Sequence, residues 1–393
     1  MANSILTPTA VTREILRVLH EKASFIGTVN RSYDSSFAKA GAKIGDSLKI
    51  RLPNQYTVRT GKTLNAQDTS EQSVTMTVAT QKGVDMNFST AELTMNLDDF
   101  SKRIIQPAMA TLISDIESSM MTAVTKDIYN SVGTAGTTPN AFLTFGQARA
   151  KLNQGLAPKD SRRRVQLDSV AMASMVDTGK GLFQDANSIA EQYREGLIGR
   201  TSGFDWYENE RIYTHTTGSD HTTVTVNDAS IASGDTTITT AGGNVTVGTV
   251  FTFSGDAVKA VHPETKVAYA HDQQFVITAV NGNDWTFSPA IITSGARQNV
   301  SKLPTTGAAI TLVGSASTAY PQHLAYHEDA FAFVTADLEM PEGVHFAARE
   351  MLDGLSVRVV RQYDINNDNI PCRIDILHGY KTLREQLACR ITG

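Results

Sequence analysis

Apolar and polar positions recur along this chain with two different periods, and the places where the period changes divide it. Over residues 9–22, Val11, Ile15, Leu16, Val18 and Leu19 follow helical spacing, with Thr12 and Glu14 among the polar positions between them. The pattern predicts a short amphipathic helix, packed either on the chain's own core or, because it is terminal, on a partner. From 43 to 80 the period drops to two. Ile44, Leu48, Ile50 and Leu52 alternate with polar residues, and Val74, Met76 and Val78 do the same, which predicts a long hairpin. Its arms are separated by about twenty mostly polar residues, Pro53 to Ser73, a long stretch for a structureless loop. It is either a surface loop or an arm ordered by a neighbour.

Residues 98–130 carry the clearest helical stripe. Asp98 and Asp99 offer an N-cap and the right charge for a helix start. Phe100, Ile104, Ala108, Leu112, Ile116 and Met120 then recur every four residues, and Ile105, Met109, Ile113 and Val124 widen the stripe. Pro107 either kinks this helix or sits in the first turn of a second one. A helix is also expected at 144–154, a strand at Val165–Asp168 and a turn near Asp177–Gly181. From about 215 to 318 the chain turns rich in Thr, Val, Gly and Asp. Short alternating runs (222–226, 236–240, 250–253, 275–280, 285–287, 310–313) are separated by turn signals, which predicts a small β-barrel or sandwich inserted into an α/β region. Near the C-terminus, Val357–Val360 and Arg373–Leu377 alternate on either side of a polar turn at 364–369, a second hairpin.

The 393 residues allow about two or three domains. A net charge of −5 argues against a dedicated nucleic-acid binder, although not against a protein that merely encloses DNA. Only 19% of residues are charged, which suits broad contacts between proteins, since unpaired charges are costly to bury. Cys372 and Cys389 make neither a disulfide framework nor a metal quartet and fit a reducing cytoplasm. The N-terminal residues have no signal-peptide pattern, and no apolar run approaches the ~20 residues of a membrane span.

Candidate chemistry mostly fails on spacing. Asp177-Thr178-Gly179-Lys180-Gly181 lacks the leading glycine of a phosphate loop and has Gly181 where Ser or Thr would bind magnesium. Asp364, Asn366 and Asp368 begin like a calcium loop, but Asn369 replaces the turn glycine and Pro371 interrupts. His327-Glu328 begins like a zinc-protease helix, but Phe331 stands at the second histidine's position. No catalytic, cofactor or metal site is expected. The run Arg162-Arg163-Arg164 is read either as a solvated or interface-paired cluster or as an inward-facing contact with packaged DNA phosphates.

Several segments, taken in order, carry a resemblance. Phe37-Ala38-Lys39-Ala40-Gly41-Ala42-Lys43-Ile44-Gly45-Asp46, then Arg51-Leu52-Pro53-Asn54-Gln55-Tyr56, is similar to the start of the extended loop in a coat-protein family of short-tailed phages. Gln81-Lys82-Gly83-Val84-Asp85 and Leu97-Asp98-Asp99-Phe100 resemble that family's approach to its long helix. Gly196-Leu197-Ile198-Gly199-Arg200 with Gly203-Phe204-Asp205 resembles the segment before its inserted β domain. Cys372-Arg373-Ile374-Asp375-Ile376-Leu377-His378-Gly379-Tyr380 resembles its C-terminal strand.

The resemblance implies an α+β fold of the Hong Kong 97 capsid type with an inserted small β-barrel. It implies an N-arm (1–34), an extended loop (35–90), a spine helix of the peripheral domain (91–135), a first axial part (136–214), the insertion (215–318) and an axial and peripheral return (319–393). The implied protein is a non-enzymatic tailed-phage major capsid protein, building an icosahedral shell of pentamers and hexamers around double-stranded DNA. Its implied partners are itself, a separate scaffolding protein, a portal at one vertex and packaged DNA, with assembly in the bacterial cytoplasm. Asn54, Gln55, Tyr56, Arg59 and Lys62 are the implied intersubunit contacts, Glu14 the scaffold contact, and Arg162, Arg163 and Arg164 the DNA-facing group. An encapsulin-type nanocompartment shell is the alternative. An extracellular adhesin and a hydrolase are further readings that the chain's patterns disfavour.

Overall fold

A computed structural model describes residues 12–15, 17, 23–33, 45–64, 66–68, 71–88, 105–179, 199–221, 224–352, 355–366 and 369–393. The expected cap at Asp98 and Asp99, the first residues of the helical stripe and most of the N-terminal helix lie outside these residues. The chain divides into two compact units.

The first unit draws on the chain up to Arg51, Ser73–Met120 and Phe331–Leu383. Its five-stranded antiparallel sheet is organised by the strand Ile370–Thr382. Thr80–Phe88 runs along one edge of that strand, from His378 to Ile370. Leu355–Arg361 and Phe331–Ala336 pair with it in succession. The expected C-terminal hairpin is present, with Arg358 opposite Asp375 and Val360 opposite Arg373. Its turn is held by Asp364, which accepts a hydrogen bond from the Asn366 amide (3.0 Å), an Asx turn.

The predicted long hairpin is also present, as Asp46–Leu52 paired with Gln72–Val78. Its alternation has a direct consequence. Ile50, Met76 and Val78 enter a core with Ala332, Val334, Ala336, Leu338, Leu377 and Leu383, while their neighbours face water. Gly379 has to be glycine here, because a Cβ would run into the Thr77 carbonyl of the hairpin.

The long helix spans Gln106–Asp127, about 33 Å at ~1.5 Å per residue. Pro107 occupies its first turn, where the missing donor costs no intrahelical bond. Met109, Leu112, Ile113, Ile116, Met120, Met121 and Val124 are buried along one stripe.

The second unit draws on Leu52–Gln72, Met121–Ala330 and Arg384–Gly393. Its mixed seven-stranded sheet centres on Ala319–His327, which pairs antiparallel with Ala388–Thr392, Arg163–Leu167 and Tyr213–Thr216. The helix Phe142–Gln154 buries Phe145, Ala148 and Leu152, and Trp206 packs on Phe145 with ring centroids 4.5 Å apart. Of the turn expected near Asp177–Gly181, the first three residues are helical instead, and Lys180 and Gly181 lie outside the described residues. Residues Ser169–Gly179 are helical, started by Asp168, whose carboxylate accepts the Ala171 amide at 2.8 Å. Five adjacent polar and glycine residues looked like a turn, but the buried Ala171, Met172 and Met175 carry the helix on to Gly179.

Between Thr216 and Ala319 the same unit carries a barrel. The two chain crossings pair at the neck, with the Thr217 amide donating to Thr318 O (3.0 Å) and the Ser317 amide to Gly218 O (2.8 Å). Six strands follow the order 311–312, 250–252, 274–281, 284–288, 237–241, 225–226. The ends of that order join through the Val226 amide to Ala308 O and the Ile310 amide to Val224 O, both 2.9 Å. Closure removes exposed sheet edges. Phe251 fills the middle, against Phe253, Phe275, Trp285 and Phe287 at 5.3 to 5.9 Å between centroids.

A closed sheet with its own aromatic core needs little from outside. Residues 215–318 expressed alone are expected to melt cooperatively with a β-type circular dichroism spectrum. Phe251→Ala should lower the stability of that fragment by about 3–5 kcal/mol. A fragment with a disordered NMR spectrum would reject this boundary.

Candidate assembly surfaces

The segment between the hairpin strands is extended and exposed, but it is not without order. Gln67 reaches across it, accepting from the Thr57 amide (2.9 Å) and hydroxyl (3.0 Å) while its own amide donates to Thr57 O (2.6 Å). The clamp holds Tyr56, Val58, Arg59, Lys62 and Leu64 on one short tip. Val58 is 94% exposed and Leu64 81%. Burying each fully would gain about 1.5–3 kcal/mol. Arg59 and Lys62 form no ion pair among the described residues. Gln55 is exposed and Asn54 partly buried at the loop's base. The structure brings these five sequence-identified residues onto one loop but not onto any other surface of the chain. A second exposed apolar point lies at the turn of the C-terminal hairpin, where Tyr363 and Ile365 face water.

The N-terminal segment is tied down by a residue that the sequence reading missed. Glu117 sits on the buried stripe of the long helix and is fully buried. Its carboxylate accepts the backbone amides of Phe25 (2.7 Å) and Ile26 (3.1 Å), at the start of the 3-10 turn Ile26–Thr28. Asn30 then bridges to the sheet, its amide donating to Phe331 O and its carbonyl accepting from the Phe333 amide, both 3.1 Å. The legible signal was an acid one turn from Ile113 and beside Ile116, where the stripe calls for an apolar residue. Glu14, further upstream, accepts from Arg17 at 2.7 and 3.0 Å.

The arginine run does not form a cationic patch. Arg162 is exposed but pairs with Asp160 at 2.8 Å. Arg164 pairs with Glu328 at 3.2 Å. The expectation that Arg163 faces DNA is corrected: its side chain is buried, donating to Ala157 O (2.7 Å) and Pro158 O (2.8 Å). In a strand, alternate residues point to opposite faces, so three consecutive arginines could not share one.

Polar contacts also seat the barrel on the rest of its unit. Gln274 forms a two-way clasp with the Ser131 backbone, at 3.0 and 2.9 Å. Arg390, buried, donates to Gly248 O (2.6 Å) in the barrel and to Lys126 O (3.2 Å) at the end of the long helix. Burial lowers its pKa to about 10, which leaves it charged at neutral pH. His215 lies at the neck between Tyr213 and Thr249, 3.2 Å from each. Burial, with Arg390 and Lys126 nearby, lowers its pKa to about 4, so it is neutral there.

Among the described residues no cluster of three or more His, Cys, Asp or Glu could hold a metal, and no helix is long and apolar enough to cross a membrane. The family described as P22 coat protein, gene protein 5, matches residues 1–393. The chain belongs to the P22 coat protein family. It is accordingly a tailed-phage major capsid protein with the α+β capsid fold, and its family is structural and not enzymatic. Solved structures to which this coat protein is similar include that of Mycobacterium phage Che8, at 13% identity and TM-score 0.48, over 94% of this chain and 90% of that one. The capsid of Ralstonia phage GP4 matches at 8% identity and TM-score 0.45, over 94% and 91%. The CUS-3 coat protein I-domain matches at 28% identity and TM-score 0.21, over 25% of this chain and all of that one. A comparison with curated proteins found no match. The assignment rests on the family match over the whole length.

Glu117→Ala would leave two buried amides without an acceptor. The expected result is a loss of about 2–4 kcal/mol in denaturant unfolding, since hydrogen bonds to charged groups contribute about 1.5–3 each. Faster proteolytic cleavage within 23–33 should accompany it. Unchanged cleavage would reject the anchor.

Proposed function

We propose that this coat protein assembles as pentamers and hexamers into an icosahedral shell around double-stranded DNA, with the loop Leu52–Gln72 of each copy lying over a neighbouring copy. The observation that carries the loop assignment is the exposed tip. Val58 and Leu64 stand almost entirely in water beside two cations, Arg59 and Lys62, that form no ion pair among the described residues, on a loop already clamped by Gln67. A surface supplied by a second copy covers the apolar pair and gives Arg59 and Lys62 something to pair with. Preordering lowers the entropy lost on docking.

A separate scaffolding protein acts during assembly in the bacterial cytoplasm, with the N-terminal arm around Glu14 as its contact, and a portal occupies one vertex. The enclosed DNA is held without base reading. Arg162 is the member of the arginine run with an exposed side chain for phosphates, and its pairing with Asp160 keeps that contact weak. Each contact between copies is modest, so misplaced subunits can leave, while repetition through the shell makes the whole strong.

Deleting residues 54–72 is expected to leave a folded protein with its hairpin base intact and to abolish closed particles. Electron microscopy after co-expression with the neighbouring phage genes reads this directly. Shells of normal size and yield from the deletion would show that the loop is not an intersubunit arm.

A further inference from the structure

Within the second unit the barrel reaches the root of the exposed loop. The loop Leu52–Gln72 falls in the barrel's unit, whereas the chain from Ser73 falls in the other. Gln72, where the loop ends, faces Arg297 of the barrel. With its amide turned so that no donor faces a donor, the Gln72 oxygen accepts from both terminal guanidinium nitrogens, 2.9 Å from Nη2. Both donors are charged, which makes the pair stronger than one between neutral groups. The foothold of Arg297 is stiff. Asn299 closes the segment 292–299 on itself: its side chain accepts the Ile292 amide (2.9 Å) and donates to Ala290 O (2.7 Å), and its own amide donates to Ile292 O (3.0 Å). The Thr293 amide donates to Ser233 Oγ (3.1 Å), and Lys266 donates to Ala296 O, the carbonyl just before Arg297. Val300, next in line, is buried in the barrel core.

We propose that the barrel is a bracket for the loop: Arg297, on its stiff barrel segment, grips Gln72 and sets the direction in which the loop leaves its own copy. The inference rests on the reading of Leu52–Gln72 as an intersubunit arm. It gives the barrel a part in joining copies without any contact of its own to a neighbour. Length makes the root decisive. The extended stretch Pro53–Lys62 reaches up to about 30 Å at ~3.3 Å per residue, so a swing of about 10° at the root carries the tip about 5 Å, more than a hydrogen bond spans. The Gln67 clamp orders the tip but leaves such a swing free. Arg297 removes it, and the loop then loses less freedom on docking. Arg297 and Gln72 are positioning residues here and need not touch the neighbouring copy.

The test reads the loop's position in the unassembled full-length protein. Nitroxides are placed at Thr63→Cys near the loop tip and at Val280→Cys on an exposed part of the barrel strand Gln274–Asn281. Cys372 and Cys389 are buried and stay unlabelled. Pulsed electron resonance should give a narrow distribution of distances between the labels. Arg297→Ala and Gln72→Leu should each broaden it roughly twofold, by freeing the residues at the root, without changing hydrogen exchange in barrel-core peptides such as 250–253. Gln72→Glu, whose carboxylate accepts from both nitrogens, should keep it narrow. Co-expressed with the neighbouring phage genes, Arg297→Ala should give open or misshapen particles and Gln72→Glu closed ones. A distribution that is broad before substitution, or that stays narrow in Arg297→Ala, would remove the grip, whatever the loop does in assembly. Broadening with normal shells from Arg297→Ala would show that the grip does not aim the loop. Normal shells from the 54–72 deletion would instead overturn the arm reading, and this use of the grip with it.

Discussion

Both sheets of this coat protein wait for the end of the chain. In the first unit, Ile370–Thr382 is the strand on which Thr80–Phe88, Leu355–Arg361 and Phe331–Ala336 all register. Without it the long hairpin loses Leu377 from its core and the other strands lose their common partner. In the second unit, Ala388–Thr392 closes the sheet between Ala319–His327 and Ser131–Gly133. Pairings across such sequence distances carry a loop-closure cost before they return any contact energy, so the first sheet is not complete until Ile370–Thr382 is in place and the second until Ala388–Thr392 is. The barrel is the exception. Its strands all lie within the continuous stretch 225–312, so it can form while the rest of its unit waits.

That difference explains why polar groups seat the barrel. A barrel that forms early and exposes a broad apolar face would be a hazard before its unit is complete. The seat relies instead on groups that water can satisfy until docking: a glutamine amide and a guanidinium. The cost appears after docking, when Arg390 is buried with only two carbonyls and the distant charge of Asp127 to compensate it. Specific geometry is gained in exchange, because Gly248 O and Lys126 O have to arrive together for the guanidinium to be satisfied.

The sequence made the elements legible wherever one face decided the pattern. Ile50 and Met76 alternate because one side of the hairpin is core, and Met109 to Val124 recur because one side of the helix is. The six barrel strands were visible as short runs between turns. What the sequence hid were residues whose role depends on a distant partner. Glu117 reads as an ordinary helix acid until Phe25 and Ile26 are placed beside it, ninety-two and ninety-one positions away. Arg163 reads as one of three surface charges until strand alternation turns it inward. Asp177–Gly179 reads as a turn because local composition outvotes the packing of Met172 and Met175. Arg297 and Gln72 give no signal at all in one dimension.

The same reasoning separates the exposed groups that matter from those that do not. Isolated surface apolar residues are normal, and Val267 or Leu143 alone requires no partner. The loop tip differs because three conditions coincide. Val58 and Leu64 are held together, the Gln67 clamp has already reduced the loop's freedom, and Arg59 and Lys62 form no ion pair among the described residues. A contact of that kind is specific without being strong, which a shell of many identical joints requires. A larger apolar face would join copies before their geometry was right. A looser loop would lose in ordering entropy what it gained in burial. If the loop is the joint proposed above, the clamp at Thr57 and Gln67 is the part of it on which correct joining depends most.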